Sequence, residues 1–205
     1  MEEKSIGQIL AYYYEEYEKV FSCFDFSEKA DRFTEENQTV NFCQAVKRRF
    51  PDAVVWYEYP FPGDKYANRF DAVIYIPEEN CLLIVEAKCL RHTRKYIAMN
   101  NDLVRICERG RQNINLKDSS IQSAVYAVIL ADYWASKQKY TFINVLQDWE
   151  KKSKDDIVSV ETEFRDFKDY AFEHLVQWPD WKVKPILASN NKEYHLLTLI
   201  GEVKE

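Results

Sequence analysis

Between residues 5 and 50, hydrophobic positions recur at three- and four-residue steps, which is the spacing of a helix with one buried face. The first such segment runs from Ser5 to about Phe24. Thr34 is a suitable N-cap for a second segment that reaches Phe50. Pro51 ends this segment, because proline disfavours a helical conformation in the residue before it. The pattern predicts two amphipathic helices before any strand.

Three apolar, β-branched segments follow and predict strands. Ala53–Phe61 is rich in Val, Trp and Tyr, and a cluster of proline and glycine ends it. Arg69–Ile76 and Cys81–Cys89 are separated by Pro77–Asn80, whose residues are typical of turns. These two strands are therefore predicted to form an antiparallel hairpin. Both strands are apolar at successive positions, which indicates that both faces of the sheet are covered.

The second half of the chain predicts a helix-rich arrangement that ends in another hairpin. Lys95–Arg109 predicts a short basic helix, and Ser119–Trp134 predicts a strongly apolar, buried helix. Tyr140–Leu146 predicts a strand, and Lys151–Asp156 a charged loop. Glu161–Gln177 predicts an amphipathic helix, and Val183–Ser189 and Tyr194–Ile200 predict the two strands of the hairpin. This order of elements predicts an α/β sandwich around a mixed sheet.

Composition limits the class of protein and of site. A chain of 205 residues with 46% hydrophobic and 30% charged residues is typical of one soluble globular domain. Its acidic start is unlike a secretory signal, and no apolar run approaches the ~20 residues that span a bilayer. The five cysteines include no CxxC pair, so no iron–sulfur motif is present. The four glycines form no Walker-type phosphate loop, and the three histidines form no HExxH motif. A cytoplasmic protein that does not associate with membranes is predicted.

Two acidic residues and a lysine interrupt the apolar hairpin. Strand side chains alternate, so Glu86 and Lys88 share a face, and the turn brings Asp71 beside them. Two buried carboxylates lose hydration and raise each other's pKa, and a divalent cation removes both penalties. Lys88 would then face an anionic oxygen or a metal-polarised water, as phosphodiester hydrolysis requires. A salt bridge to Lys88 or Arg69 at a sheet rim is the alternative explanation of the acids.

The pattern Asp71…Glu86-Ala87-Lys88 resembles the signature of the PD-(D/E)xK nuclease superfamily, which has the restriction-endonuclease-like fold. The similarity covers roughly residues 34–147, and phenylalanine stands at position 70 where the family pattern has proline. The resemblance implies an αβββαβ core with a mixed central sheet flanked by helices. Residues 1–33 would be an N-terminal helical extension, and residues 148–205 a C-terminal helix and hairpin of the same domain.

The resemblance also implies a Mg²⁺-dependent nuclease in which Mn²⁺ can replace Mg²⁺. Asp71, Glu86 and the carbonyl of Ala87 would bind the metal, and Lys88 would position the water or stabilise the developing charge. Glu36 resembles the upstream helical glutamate that many members use as an additional metal or water ligand, with Glu35 and Glu58 as rival candidates. Glu36 shares a helix face with Val40 and Cys43, so it is expected to point inward. A solvated acid in the first turn of a helix explains Glu36 equally well.

A second element resembles the Q-xxx-Y motif of RecB-type nucleases, whose glutamine lies close to the active site. Gln122 and Tyr126 are four residues apart on the predicted buried helix. A glutamine within a buried helix needs a hydrogen-bond partner, which favours a site role for Gln122. Plain helix–sheet packing explains Tyr126 equally well.

Charge indicates where a nucleic acid would lie. The stretch from Lys88 to Arg111 has seven Lys/Arg against two acids and is net +5, although the whole chain is net −6. DNA phosphates are expected at Arg91, Arg94, Lys95, Arg105 and Arg109. The sequence leaves open whether the substrate is DNA or RNA and whether it is single-stranded, double-stranded or branched. It also leaves open whether the enzyme is an endo- or an exonuclease. Trp178 and Trp181 suit either a homodimer face or a small satellite core.

Two other classes of function compete with a nuclease. One is a cleavage-inactive member of the same fold that binds DNA or protein. The other is an unrelated hydrolytic enzyme that acts on a small phosphorylated or glycosidic substrate through paired carboxylates.

Overall fold

The computed structural model describes residues 1–24, 34–60, 69–90, 94–114, 116, 123–136, 169–171, 173–176, 182–189 and 192–204. The helices are α1 (Glu3–Cys23), α2 (Glu35–Arg49) and α3 (Arg94–Asn113). The strands are β1 (Val54–Pro60), β2 (Arg69–Ile76), β3 (Cys81–Cys89), β4 (Ala124–Ser136), β5 (Leu175–Val176), β6 (Lys182–Ser189) and β7 (Lys192–Val203). No helix within these ranges combines the length and apolar character that crossing a bilayer requires.

The strands form one mixed seven-stranded sheet with helices on both faces. Its order is β1-β2-β3-β4-β7-β5, and β6 also pairs with β7. β3 and β4 run parallel, whereas the other neighbouring strands run antiparallel. α1 and α2 pack on one face of the sheet, and α3 packs on the other. The predicted α/β architecture, a mixed sheet flanked by helices, is confirmed at this level.

The β2–β3 hairpin forms where the sequence predicts it. Its register runs from Ile76 opposite Cys81 to Ala72 opposite Val85. A 3-10 turn, Pro77–Glu79, joins the strands, and Asn80 follows it in the left-handed region at φ 45°. Asparagine tolerates this conformation because its short polar side chain bonds locally. The turn thereby fixes which strand positions face each other.

Side chains of β3 alternate between the two cores as predicted. Leu82 and Ile84 belong to the core under α3. Leu83, Val85 and Ala87 belong to the core under α1 and α2. Burial on both faces explains why the strand is apolar at successive positions.

The predicted buried helix over Ser119–Trp134 is wrong, because the described part of this segment is strand β4. β4 lies inside the sheet between β3 and β7 and is covered on both faces. A strand buried on both faces has a continuous apolar sequence, which periodicity cannot distinguish from a buried helix.

The other predicted elements agree with the structure where it describes them, except at Leu175–Val176, which is predicted as helix and forms strand β5. The first two helices, the first strand, the basic helix and the final hairpin are confirmed, although α3 and β7 extend beyond their predicted ends. Within the predicted helix Glu161–Gln177, residues 169–171, 173 and 174 are helical, and β5 follows them. The predictions at Tyr140–Leu146 and Lys151–Asp156 lie outside the described residues.

His195 on β7 is a buried ionisable group whose charged form the fold opposes. It is 3% exposed, and its Nε2 lies 3.3 Å from Oε2 of Glu193. Burial lowers the pKa of His195, although the Glu193 carboxylate acts in the opposite direction. The unfolded chain therefore takes up this proton at a higher pH than the folded chain does.

We expect His195→Gln to flatten the pH dependence of the free energy of unfolding between about pH 7.5 and 5.5. In the parent, the contribution of His195 to stability falls as the pH drops through the ordinary histidine pKa of 6.5, because the unfolded state binds the proton more readily than the folded state does. Urea unfolding at a series of pH values measures this slope. Equal slopes in the parent and His195→Gln would contradict the prediction.

Candidate active site at the open end of the β2–β3 hairpin

Asp71 lies where β2 and β3 stop pairing. The ladder ends at Ala72 opposite Val85, and Oδ2 of Asp71 then accepts a hydrogen bond from the backbone N–H of Ala87 at 2.7 Å. The carboxylate thus takes the place of the next backbone acceptor. Beyond this point β3 continues beside β4. The hairpin therefore opens at Asp71.

Glu86 and Lys88 project from β3 towards α3 and meet two residues of that helix. The carboxylate of Glu86, which is 2% exposed, contacts the guanidinium of Arg105 and lies 3.7 Å from Nζ of Lys88. Asp102 lies 2.7 Å from Nζ of Lys88 and 2.9 Å from Nη2 of Arg105. These four side chains, Glu86, Arg105, Asp102 and Lys88, form a closed ring of alternating charges, which we call the ion-pair ring.

Burial controls the acidity of the site. Burial raises the pKa of Asp71, while the Ala87 N–H and the Lys88 ammonium act in the opposite direction. Burial also raises the pKa of Glu86, and the carboxylates of Asp102 and Asp71 add to this effect. For Lys88, burial alone would lower the pKa, but Asp102 and Glu86 outweigh it and raise the pKa. Lys88 therefore stays charged, whereas both acids retain negative charge only at a cost.

Glu35 is the acidic residue of α2 that reaches the site. Its Oε1 accepts a hydrogen bond from the backbone N–H of Cys89 at 3.2 Å and lies 2.6 Å from Nζ of Lys95. Glu35 shares a helix face with Gln38, Thr39 and Phe42, which are buried. The first turn of α2 is thereby tied to the end of β3.

The expectation that Glu36 points inward is wrong. Glu36 is exposed, and the Thr34 hydroxyl, together with the residue's own backbone, lowers its pKa. The inward orientation was inferred from the face that it shares with Val40 and Cys43. Cys43 is buried, but Val40, which is nearer to Glu36, is exposed. Glu36 therefore lies at the capped start of the helix and away from the ion-pair ring.

Gln38 and Asp102 are site residues that the sequence reasoning missed. Gln38 is fully buried, and its Nε2 donates to the carbonyl of Lys88 at 3.2 Å and to Sγ of Cys89 at 3.6 Å. A polar residue on the apolar face of a predicted helix was the available signal for Gln38. Asp102 stands three residues before Arg105, so the two share a helix face, but the sequence does not show that this face meets Glu86.

The structure describes one of the two residues of the Q-xxx-Y element, Tyr126. Gln122 lies outside the described residues. Tyr126 belongs to β4 and points into the core under α1 and α2, on the opposite face from Glu86. Its hydroxyl donates to Oε2 of Glu202 at 2.9 Å. The prediction placed Gln122 and Tyr126 four residues apart on one helix, whereas Tyr126 lies on a strand.

The predicted phosphate-binding residues occupy different places. Lys95 pairs with Glu35, and Arg105 lies within the ion-pair ring. Arg109 is exposed on α3, and Arg94 begins that helix. Arg91 lies outside the described residues. Arg109 thus keeps an exposed position suited to phosphate, while Lys95 and Arg105 are both engaged by carboxylates. Glu58, a rival to Glu36, is exposed on β1 and lies 3.9 Å from Arg69.

The donor atoms at the open end of the hairpin suit a hard divalent cation. Asp71 and Glu86 supply carboxylate oxygens, and Ala87, which follows Glu86, supplies a backbone carbonyl that accepts from Nζ of Lys88 at 3.0 Å. Burial raises the pKa of both acids, and a bound cation would stabilise their charged forms. No group of three or more His, Cys, Asp or Glu side chains in the described ranges is already arranged around a metal position.

Comparison with known proteins gives no relative. No family model matches the sequence, and no significant match is found among curated proteins or among solved structures. A function is therefore inferred from the residues of the site.

Proposed function

We propose that this protein is a Mg²⁺-dependent nuclease that hydrolyses phosphodiester bonds of DNA, with Asp71, Glu86 and Lys88 as its catalytic residues. The supporting observation is the convergence of these three side chains at the open end of a buried hairpin, where both acids have raised pKa values and the lysine stays charged. The chain order α2, β1, β2, β3, α3, β4 supports assignment to the PD-(D/E)xK type, because that type has an αβββαβ core.

Each residue of the cluster has a distinct role in this proposal. Asp71, Glu86 and the carbonyl of Ala87 hold Mg²⁺, with Mn²⁺ as a substitute. The bound metal supplies Lewis-acid chemistry, which polarises the attacking water and the scissile phosphate. Lys88 donates a hydrogen bond to a phosphate oxygen or to the water and opposes the developing negative charge. Asp102 is a positioning residue, because its carboxylate fixes Nζ of Lys88 at 2.7 Å.

The basic residues around α3 would hold the DNA backbone. Lys95 and Arg109 lie on the same helix as Asp102, so phosphates bound there would approach the ion-pair ring. Arg91 and Arg94 belong to the same basic stretch of sequence. Contacts to phosphates do not select a base sequence, so this part of the proposal concerns affinity and its salt dependence.

The direct test is incubation with supercoiled plasmid, linear duplex and single strands, each with Mg²⁺, Mn²⁺ or EDTA. Metal-dependent conversion of any of these substrates is the expected result. Failure to cut all of them, with a folded protein and both metals, would contradict the proposed activity.

A cleavage-inactive module that binds DNA or protein is the second candidate. The observation that favours it is the contact between Arg105 and Glu86, because the guanidinium already neutralises one of the two acids. Isothermal titration with Mg²⁺ and Mn²⁺ separates the two candidates. A nuclease should show a saturable metal site that Asp71→Asn removes, whereas a binding module should show none.

Glu35→Gln is expected to slow Mg²⁺-dependent cleavage by about 10- to 100-fold, which is the usual effect of removing a group that orients metal ligands. The reason is that a neutral amide no longer pairs with Lys95 and holds the Cys89 N–H less firmly. Initial rates at several Mg²⁺ concentrations measure the effect. Glu36→Gln is the matched control one residue along and should cleave within about twofold of the parent, since Glu36 is exposed. A larger loss of cleavage rate in Glu36→Gln than in Glu35→Gln would indicate that Glu36, and not Glu35, is the acid of α2 that supports the site.

A further inference from the structure

Two aromatic side chains lie beside the site on the outermost strand. β1 is the edge of the described sheet, and Trp56 on it is 59% exposed. The ring of Tyr59 meets that of Trp56 edge to face, with 5.1 Å between the ring centroids. Trp56 stands opposite Val73, and Tyr59 stands opposite Phe70. Directly opposed residues share a face, and both partners belong to the core under α3. The aromatic pair therefore lies on the face that carries the ion-pair ring.

An irregular residue in β1 is the reason that the pair exists. Residues three apart in a regular strand point to opposite faces. Glu58, between the two aromatics, has φ 52°, in the left-handed region that residues other than glycine rarely adopt. The register passes from Tyr57 opposite Ala72 to Tyr59 opposite Phe70 without a pair at Glu58. This local strain brings Tyr59 onto the same face as Trp56.

The irregularity lies next to a proposed catalytic residue. Asp71 is the residue of β2 that faces the gap at Glu58, because it stands between Phe70 and Ala72. Backbone strain of this kind persists only where the surrounding structure holds it in place. Irregularities in strands often change the direction of a side chain beside a site. The irregularity that puts both aromatic rings on one face therefore lies opposite Asp71.

A second copy of this chain is the rival occupant of this edge. An exposed edge strand can pair with another strand, and Val54 and Tyr57 are also exposed. The left-handed residue at Glu58 and the proline at position 60 both disfavour such pairing, because they interrupt a straight row of backbone donors and acceptors. Nucleobases do not need a straight row of backbone donors and acceptors, since they stack on the faces of aromatic rings.

We propose that Trp56 and Tyr59 form a stacking platform for nucleobases, and that DNA reaches Asp71, Glu86 and Lys88 as a single strand or an unpaired end. Bases within a duplex are stacked on each other, so only unpaired bases can use an aromatic ring as a platform. The basic residues of α3 would hold the phosphates while the platform holds the bases. The statement about cleavage rests on the proposed nuclease function, whereas the platform itself does not.

The test measures binding without cleavage. A fluorescent single strand of about 20 thymidines and a duplex of the same length are titrated in EDTA and low salt, with anisotropy as the readout. Trp56→Leu is expected to weaken single-strand binding by about tenfold or more and to leave duplex binding unchanged. Trp56→Phe, which keeps an aromatic ring, should weaken it by less than about threefold. Tyr59→Leu is the second variant and should act in the same direction as Trp56→Leu.

Val54→Thr is the matched control, because Val54 is equally exposed on the same strand and stands opposite Tyr75, which also packs towards the α3 core. It should bind the single strand like the parent. Equal affinity of the parent and Trp56→Leu would overturn the platform. A dimeric parent that Trp56→Leu and Val54→Thr both convert to monomers would also overturn it and would assign the edge to a second copy. Sedimentation analysis of all variants supplies that readout.

Cleavage assays separate this proposal from the nuclease assignment. If single strands bind through Trp56 but the parent cuts nothing with Mg²⁺ or Mn²⁺, the platform is supported and the nuclease function fails. If the parent cuts DNA and Trp56→Leu cuts single strands and duplexes at the parent's rates, the platform fails and the nuclease function is retained.

Discussion

Asp71→Asn is expected to lower the rate of Mg²⁺-dependent DNA cleavage by about 10²–10³-fold or more, while the protein without metal is as stable as the parent or more stable. Asparagine keeps an oxygen that can accept the hydrogen bond from Ala87 N–H, so the hairpin end is preserved. It loses the negative charge that a metal needs. Initial cleavage rates and urea unfolding in EDTA measure the two effects.

The stability half of this prediction follows from the direction of the pKa shift. Burial raises the pKa of Asp71, so the folded state is penalised for the charge of this carboxylate at neutral pH. A neutral amide removes that penalty and also relieves the repulsion that Asp71 exerts on Glu86. A loss of activity through general unfolding would instead reduce both quantities together.

The control for Asp71→Asn is the same change at an exposed acid. Asp52 lies in the turn before β1 and is exposed, so Asp52→Asn should cleave at the parent's rate. Parent-like cleavage by Asp71→Asn would remove Asp71 from the catalytic residues. A large gain of stability from added Mg²⁺ in the parent, absent in Asp71→Asn, would support its role as a ligand.

Strand alternation made the centre of the site predictable. Glu86 and Lys88 had to share a face, and a short turn had to bring Asp71 near them, because both rules act over a few residues. The same locality explains the error at β4, whose two faces are both buried. Its apolar sequence carries no period that would distinguish a strand from a helix.

The partners on α3 were not predictable, because the position of a helix over a sheet is a property of the packed structure. Gly110 shows this dependence. A Cβ atom there would lie 2.4 Å from Cδ1 of Ile84, so its absence lets α3 approach β3 closely. Ile84 lies on the same face of β3 as Glu86, two residues earlier. The close approach helps to bring Asp102 and Arg105 to Glu86, and a lone glycine in a helical pattern was its only sequence signal.

The buried face of α2 was predicted one residue away from its actual position for a related reason. Neighbouring positions on a helix differ by about 100° in direction, so Glu35 and Glu36 point to very different surroundings. The buried face of α2 follows Gln38, Thr39 and Phe42, and Glu35 lies on that face. Choosing the face from Val40 placed the wrong acid in the site.

Arg105→Ala is expected to destabilise the protein without metal by about 2–4 kcal/mol near pH 8, since removal of one partner from a buried ion pair leaves an uncompensated charge. Glu86 is 2% exposed and would keep only Lys88, at 3.7 Å, against the carboxylates of Asp102 and Asp71. Urea unfolding in EDTA measures the loss. Arg109→Ala, at an exposed arginine of the same helix, is the control and should stay within about 0.5 kcal/mol of the parent.

The loss in Arg105→Ala should shrink as the pH falls. Burial raises the pKa of Glu86 in the parent, and removal of the guanidinium raises it further. An acid whose folded pKa lies above its unfolded pKa stabilises the folded state at low pH, and that contribution is lost as the pH rises through the folded pKa. Protonation of Glu86 therefore relieves the defect on acidification. A defect that is the same at pH 5 and pH 8 would indicate that Arg105 acts through packing alone.

A double variant identifies the partner responsible. Glu86→Gln removes the buried charge, so Arg105→Ala in that background should cost much less than it does in the parent, and the two changes should be strongly non-additive. Mg²⁺ gives an independent measure, because a cation bound at Asp71 and Glu86 replaces the charge that Arg105 supplied. The thermal stabilisation by Mg²⁺ should therefore be larger in Arg105→Ala than in the parent. Additive effects would mean that Arg105 does not act through Glu86. Non-additive effects without a Mg²⁺ response in either protein would mean that the ion-pair ring is a structural salt-bridge cluster, and the metal site would then have to be abandoned.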